Sequence, residues 1–344
     1  MESTAVPKNL TILGSENLDV DEMDLMVKRM RVFSIVTYSL FFVLGTTGNG
    51  LVIFITSFQM KKTVNTVWIL NLAIADFTFS FFQLFNIVSI GLDSHWPFGY
   101  IMCKLNPVII FFNLFASIYL LVVISIDRCI AVWCPVWAQN HRTTRLASFV
   151  VLGVWILAFV LCSPDLYFMQ TYYVNMTHKV YCVNDYGTFD EGGFSIFQAL
   201  TLIRFIFGFI IPFSVIVVCY GLIVVRVRRD KLSQSNRPFK VITAVIVAFF
   251  VCWFPFHFFS LLKLDVSADH SNPLFFIGLC LSSSLVFFNS CLNPILYFCM
   301  GHNFKEMLRC SLLSALANAF TEESHHHTIN TRASSSAELE SHSL

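Results

Sequence analysis

Charge is what this sequence has least of. Asp, Glu, Lys and Arg together make up 12% of the 344 residues, about half the share of an average soluble chain. The formal net charge is only +1, and no basic tract stands out as a nucleic-acid footprint. Gly (14) and Pro (10) are not enriched, which excludes fibrous and low-complexity architectures. No nucleophile–base set and no metal-ligand spacing appears, so an enzyme is not expected. The opening stretch Met1 to Asp24 is polar, with Asp19, Asp21, Glu22 and Asp24 clustered. It lacks the short apolar core and cleavage site of a secretory signal peptide, so the first spanning helix is expected to act as its own insertion signal.

What is present is apolar. Hydrophobic residues reach 56%, with 38 Phe. They fall into seven stretches: Val32–Met60, Thr63–Gly91, Leu105–Ile126, Leu146–Pro164, Phe194–Val225, Val241–Leu262 and Ser271–Gly301. Each is long enough to cross a hydrocarbon core of about 30 Å as a helix. None shows the alternating segments of about 10 residues typical of a membrane barrel. The expected fold is an all-α membrane protein, a seven-helix bundle over 32–301. It follows an N-terminal tail (1–31) and precedes an amphipathic surface helix (302–317) and a disordered Ser/Thr-rich tail (318–344). In the surface helix Phe304, Met307, Leu308, Ser311 and Leu312 share one face, flanked by Lys305 and Arg309, a pattern suited to lying on membrane lipid.

Basic residues set the orientation. Lys61 and Lys62, Arg142 and Arg145, the run Arg226 to Lys240, and Lys305 and Arg309 all fall on one side of the seven spans. That side is read as cytoplasmic, and the N-terminus as extracellular at the plasma membrane. Lys28, Arg29 and Arg31 oppose the rule but are outvoted. Two glycosylation sequons, at Asn9 and Asn175, lie on the outer side. Of the eleven cysteines, only Cys103 and Cys182 lie at the outer surface outside helix interiors, and in an oxidising compartment they are expected to pair.

Polar groups inside the spans are candidates for function. Asp76 is the clearest. Asn49, Ser117, Asn289 and Asn293 are the polar residues placed to reach it, and a carboxylate ringed by hydroxyl and amide oxygens suits a small hard cation such as sodium. A hydrogen-bonded Asp within the bundle is the alternative. Arg204 stands alone in the fifth stretch, where a ligand carboxylate or an internal partner would satisfy it. Asp127-Arg128 closes the third stretch, either as a latch sensitive to helix packing or as a plain anchor. Pro212, Pro255 and Pro294 each remove a backbone donor within a helix and mark hinges.

Taken together, Gly48-Asn49, Leu72-Ala-Ile-Ala-Asp76, Cys103, Asp127-Arg128-Cys129, Trp155, Pro212, Tyr220, Cys252-Trp253-Phe254-Pro255 and Asn293-Pro294-Ile-Leu-Tyr297 resemble the rhodopsin-like G-protein-coupled receptors over nearly the whole chain. By this resemblance Arg128 meets the G protein. Ile118, Pro212 and Phe249 form the connector, Trp253 floors the ligand pocket, and Tyr220 and Tyr297 rearrange inward. A closer resemblance is to the formyl peptide receptors. It rests on Asp-Arg-Cys, His95-Trp-Pro-Phe-Gly99, Pro135-Val-Trp-Ala-Gln-Asn-His-Arg142, Ile203-Arg-Phe-Ile-Phe-Gly208 and Phe287-Phe-Asn-Ser-Cys-Leu-Asn-Pro294.

The resemblance breaks at the pocket. Formyl-peptide-binding members carry an acid two positions before Asn-Leu-Phe and two arginines four apart in helix 5. Here Phe111 precedes Asn113-Leu-Phe115, and Leu200 stands four residues before Arg204. Apolar side chains at both places argue against high-affinity formyl-peptide recognition, and the divergence resembles the rodent vomeronasal paralogues. The expected ligand wall comprises Phe111, Leu200, Arg204, Trp253, Phe256 and His257. The resemblance implies a chemoreceptor for an extracellular peptide or small molecule. Its partners would be a heterotrimeric G protein and, through the tail, a receptor kinase and arrestin. No cofactor is expected beyond an allosteric sodium ion. A scavenger that internalises ligand without signalling is the alternative.

Overall fold

A computed structural model describes the backbone of residues 9–186, 191–229, 237–264 and 272–300, and side chains within 23–186, 193–229, 243–264 and 272–298. The amphipathic helix 302–317, the tail 318–344 and the side chain of Asn9 lie outside the described residues.

The chain is built from helices α1 (Asn9–Phe54), α2 (Val64–Gly91), α3 (Gly99–Trp133), α4 (Pro135–His141), α5 (Thr144–Cys162) and α6 (Pro164–Phe168), followed by α7 (Glu191–Phe205), α8 (Ile211–Arg229), α9 (Arg237–Leu262) and α10 (Pro273–Met300). A hairpin of β1 (Met169–Val174) and β2 (Lys179–Asn184) separates α6 from α7. Among the described residues, seven helical segments are long and apolar enough to cross a membrane. The first runs from Met23, so α1 begins well before its apolar part and is helical through most of the expected tail.

Local chemistry explains the boundaries. Thr63 and Thr66 cap each other reciprocally at the start of α2, satisfying two otherwise orphaned donors. Thr143 caps α5 by accepting from Leu146 N–H, and Pro135 and Pro164 open α4 and α6, where a missing N–H costs nothing. Between α7 and α8 the backbone widens into a π-turn at Ile206–Ile210, immediately before Pro212. A proline cannot bond back one turn and clashes with the carbonyl four residues earlier, so the turn loosens there. Gly208 sits in that turn, where an added Cβ would lie 3.1 Å from the Leu114 side chain; its bareness lets the loosened turn close against α3. Pro107, Pro255 and Pro294 are interior to α3, α9 and α10; Pro107 adds a fourth interior proline to the three expected.

Helix α3 is the axis, packing against α2, α5 and α8, while α10 packs against α9 and α1. The main core joins Leu72 and Phe79 of α2, Leu114, Ile118 and Leu121 of α3, Ile216 of α8, Phe249 and Trp253 of α9, and Phe287 and Tyr297 of α10. The outer faces are apolar as well: Val36, Phe149, Leu152, Ile156, Val218 and Val251 are all exposed. Water would not tolerate that belt on a monomer, whereas lipid tails do.

Candidate functional site

At the end of the bundle that the basic-residue pattern assigns to the outside, here called the outer end, the Cys103–Cys182 disulfide, with Cα atoms 5.6 Å apart, ties β2 to the start of α3. The hairpin is further held by Trp96 N–H donating to Val180 O at 2.8 Å and by Val180 N–H donating to His95 Nδ1 at 3.0 Å. Asn175 lies exposed at its tip. Below it, Arg204 of α7 donates from Nη2 to the Asp165 carboxylate of α6. The Arg204 Cζ also sits 3.8 Å above the Phe111 ring centroid, close enough for the ring quadrupole to attract the cation. Tyr186 packs here too, against Phe168 and Phe197; burial pushes its hydroxyl above the usual tyrosine range.

Of the two partners left open for Arg204, the internal one is present and is Asp165. Phe111 is not inert toward the arginine, since its aromatic face supplies part of what an acid at that place would have given. Asp165 was not singled out from the sequence. Its signal was Ser163-Pro164-Asp165, a proline-opened turn that swings an acid into the first turn of α6.

The remaining wall residues converge below. Leu200 is buried, and the Phe111 and Phe256 centroids are 6.4 Å apart. His257 is buried among Phe209, Phe256, Phe205 and Trp253, with centroids at 5.4, 5.7, 5.8 and 6.2 Å. Among the described residues its Nε2 has no hydrogen-bond partner. Trp253 is completely buried and stacks on Phe249 at 5.8 Å. Ile118 and Pro212 are buried with Phe249 in the bundle interior.

Midway through the bundle, Asp76 is completely buried and met by three neutral donors. Asn293 Nδ2 donates to Oδ2 at 2.7 Å, and Asn113 Nδ2 and Ser290 Oγ each donate to Oδ1 at 3.0 Å. Ser117 is reached only through Asn113, at 3.4 Å. Asn49 donates to the carbonyls of Gly45 and Ser290, both at 2.9 Å. Asn289 is buried without a hydrogen bond to Asp76. Of the expected Asn49, Ser117, Asn289 and Asn293, Asn293 alone bonds the carboxylate directly; Asn113 and Ser290, at helical spacing from Ser117 and Asn293, take the other direct places. Among the described residues the side-chain oxygens of Asn49, Asn113 and Asn293 are buried without partners. Those of Asn113 and Asn293, on side chains that touch the Asp76 carboxylate, fit the donor chemistry of a small hard cation.

At the inner end, Asp127 does not pair with Arg128. Arg142, from the α4–α5 connection, clasps it with two bonds, Nε to Oδ1 at 2.7 Å and Nη2 to Oδ2 at 2.9 Å. Arg142 Nη2 also donates to Asn65 Oδ1 at 2.6 Å, and Arg128 Nη2 donates to the same oxygen. Adjacent helical residues point about 100° apart and do not face each other, so one helix end sends its acid and its base to different partners. Tyr220 of α8 lies within reach of Arg128 and touches Thr243 of α9. Pro294 packs against Gly48 and Tyr297 is buried. Asn65 and Arg142 were not singled out from the sequence as members of this cluster.

A bundle of seven membrane helices with a disulfide-pinned outer hairpin, a buried acid at mid-depth and an arginine cluster at the inner end defines a seven-transmembrane receptor. The family model of the 7 transmembrane receptor (rhodopsin family) matches residues 48–297, and the chain belongs to that family. It is 43% identical over 309 residues to Chemerin-like receptor 1 of Homo sapiens, covering 86% of this chain and 82% of the relative. The same receptor of Rattus norvegicus is 44% identical over 326 residues (90% and 87%). N-formyl peptide receptor 3 of Macaca mulatta is 42% identical over 303 residues (85% and 86%). The formyl-peptide-receptor likeness read from local motifs thus holds, beside a chemerin-like branch those motifs did not single out. The protein is a multi-pass plasma-membrane receptor.

Proposed function

We propose that this receptor is a chemosensor of the chemoattractant type, with its N-terminus outside the cell, that responds to a peptide or small molecule by activating a heterotrimeric G protein and raising calcium. The names of its relatives, chemerin-like and N-formyl peptide receptors, support a peptide ligand class. The observation that carries the reading is a chain of packed side chains. Phe111 faces Phe256, Phe256 packs on Trp253 at 5.8 Å, Trp253 stacks on Phe249, and Phe249 shares its core with Ile118, against which half-buried Tyr220 packs. Ligand-induced repacking at the top therefore has a route to the Arg128 cluster, with Pro212, Pro255 and Pro294 as the yielding points. Sodium at Asp76 would favour one packing over the other. The Ser/Thr tail would recruit kinase and arrestin once phosphorylated, and Asn9 and Asn175 would carry glycans.

The test is calcium imaging of transfected cells challenged with matched formylated and unformylated peptides. Formylation is expected to make little difference, and Arg128→Ala is expected to abolish the response. A nanomolar response restricted to formylated peptides would overturn the altered pocket. A response surviving Arg128→Ala would remove that residue from coupling.

A further inference from the structure

The outer end of the bundle contains a guanidinium, and its counterion comes from the protein itself. We infer that Asp165 occupies the carboxylate site of Arg204, so that this receptor recognises ligands that do not present a carboxylate at that depth. The inference rests on the proposed function only in taking this cleft as the place of ligand entry.

Three observations carry it. First, Arg204 and Asp165 are both sequestered: 13% of the arginine side chain and 3% of the acid side chain reach the surface. A charge removed from water needs a partner, and Asp165 is that partner. Second, the Phe111 ring covers the guanidinium at 3.8 Å, so the cation is met by an aromatic face as well as by its counterion. Third, Asp165 is held from both sides of its own turn. Pro164 opens α6, and Lys104 of α3 donates to Leu166 O at 2.6 Å, fixing the segment that delivers the carboxylate. A ligand acid would have to expel a tethered one whose effective concentration is set by the fold. Of the wall residues, His257 and Trp253 carry ring nitrogens that are buried and unpartnered among the described residues, set in an aromatic wall. That chemistry fits an apolar segment carrying one hydrogen-bonding group, such as an amide or a hydroxyl.

The experiment asks whether Arg204 accepts a carboxylate only when Asp165 is gone. Full-length receptor in detergent is melted in sodium acetate, with equimolar sodium chloride and acetamide as controls for salt and shape. Asp165→Ala should be stabilised by acetate in a saturable manner, by several degrees beyond chloride. The wild type and the Asp165→Ala/Arg204→Met double variant should not respond. Asp165→Ser, which leaves a hydroxyl facing Arg204, is carried through the same melt in case the alanine variant accumulates poorly. Acetate stabilising the wild type equally would show that Arg204 is open to outside acids and overturn the inference, as would both variants ignoring acetate. The melt uses neither agonist nor G protein. Its failure leaves the receptor reading standing, and a failure of calcium signalling leaves the melt untouched.

Discussion

The two ends of the bundle each pair an arginine with an aspartate, and the two pairs are built differently. The outer pair is buried and single, one Arg204 nitrogen on one Asp165 oxygen, with an aromatic ring behind it. The inner pair is a two-pronged clasp, but 29% of the Arg142 side chain and 11% of the Asp127 side chain are exposed, and Asn65 is shared with a second arginine. Burial makes a pair costly to break, and sharing makes it easy to rearrange. The outer pair is therefore suited to fixing the shape of a pocket, and the inner one to exchanging partners when helices shift.

The largest effect expected from this contrast is at the outer end. Removing one member of a buried pair leaves an uncompensated charge, a loss of about 3–5 kcal/mol. Asp165→Ala should lower the thermal stability of the solubilised receptor by that order. Asp165→Leu combined with Arg204→Met should return to within about 1 kcal/mol of the wild type, since apolar replacement of a whole pair is close to neutral. A double variant as unstable as the single one would show that Asp165 matters by shape and not by charge.

The inner pair should behave the other way. Arg142→Ala should cost about 1.5 kcal/mol, the scale of one charge-assisted bond at a partly exposed site. Its larger consequence is functional. With Asp127 released and Asn65 left to Arg128 alone, ligand-independent nucleotide exchange on the G protein should change while surface expression holds. Unaltered basal exchange would reduce the clasp to a structural anchor and remove the functional half of the comparison.

The sequence made the bundle legible because lipid imposes a severe constraint. Every span needs a long apolar run, so counting runs such as Leu105–Ile126 was enough to count helices. It also flagged Asp76, Arg204 and Arg128, since a polar residue in an apolar run is conspicuous. Their partners were a different matter. Asp165, Asn65 and Arg142 sit at helix ends and in connections, where polar residues are ordinary; only Asp165 carries a local mark, the proline that opens its turn. Asn113 and Ser290 were hidden for a subtler reason. Choosing among Ser117, Asn289, Ser290 and Asn293 requires the rotation of α3 and α10 about their axes, which packing fixes and the one-dimensional pattern does not. The adjacency of Asp127 and Arg128 does not tell which partner each takes; the structure turns the acid to Arg142 and the base to Asn65.

A third acid contact extends the comparison to the open surface, where the smallest effect is expected. On the hairpin, the Tyr172 hydroxyl donates to the Asp185 carboxylate, which raises the tyrosine above its ordinary range of about 10. The raised value means that the neutral phenol is favoured in the folded protein. Whatever stability the contact gives is present below the ordinary tyrosine value and fades as pH rises through the raised one. Subtracting the phenolate absorbance titration of Tyr172→Phe from that of the wild type should isolate a midpoint above the ordinary range. Asp185→Asn should bring that midpoint down, because it removes both the acceptor and the charge. The melting temperature at neutral pH should hardly move in either variant, in contrast to Asp165→Ala. A large loss of stability from Tyr172→Phe would break the rule that burial, more than the number of bonds, sets the cost of parting an acid from its donor in this receptor.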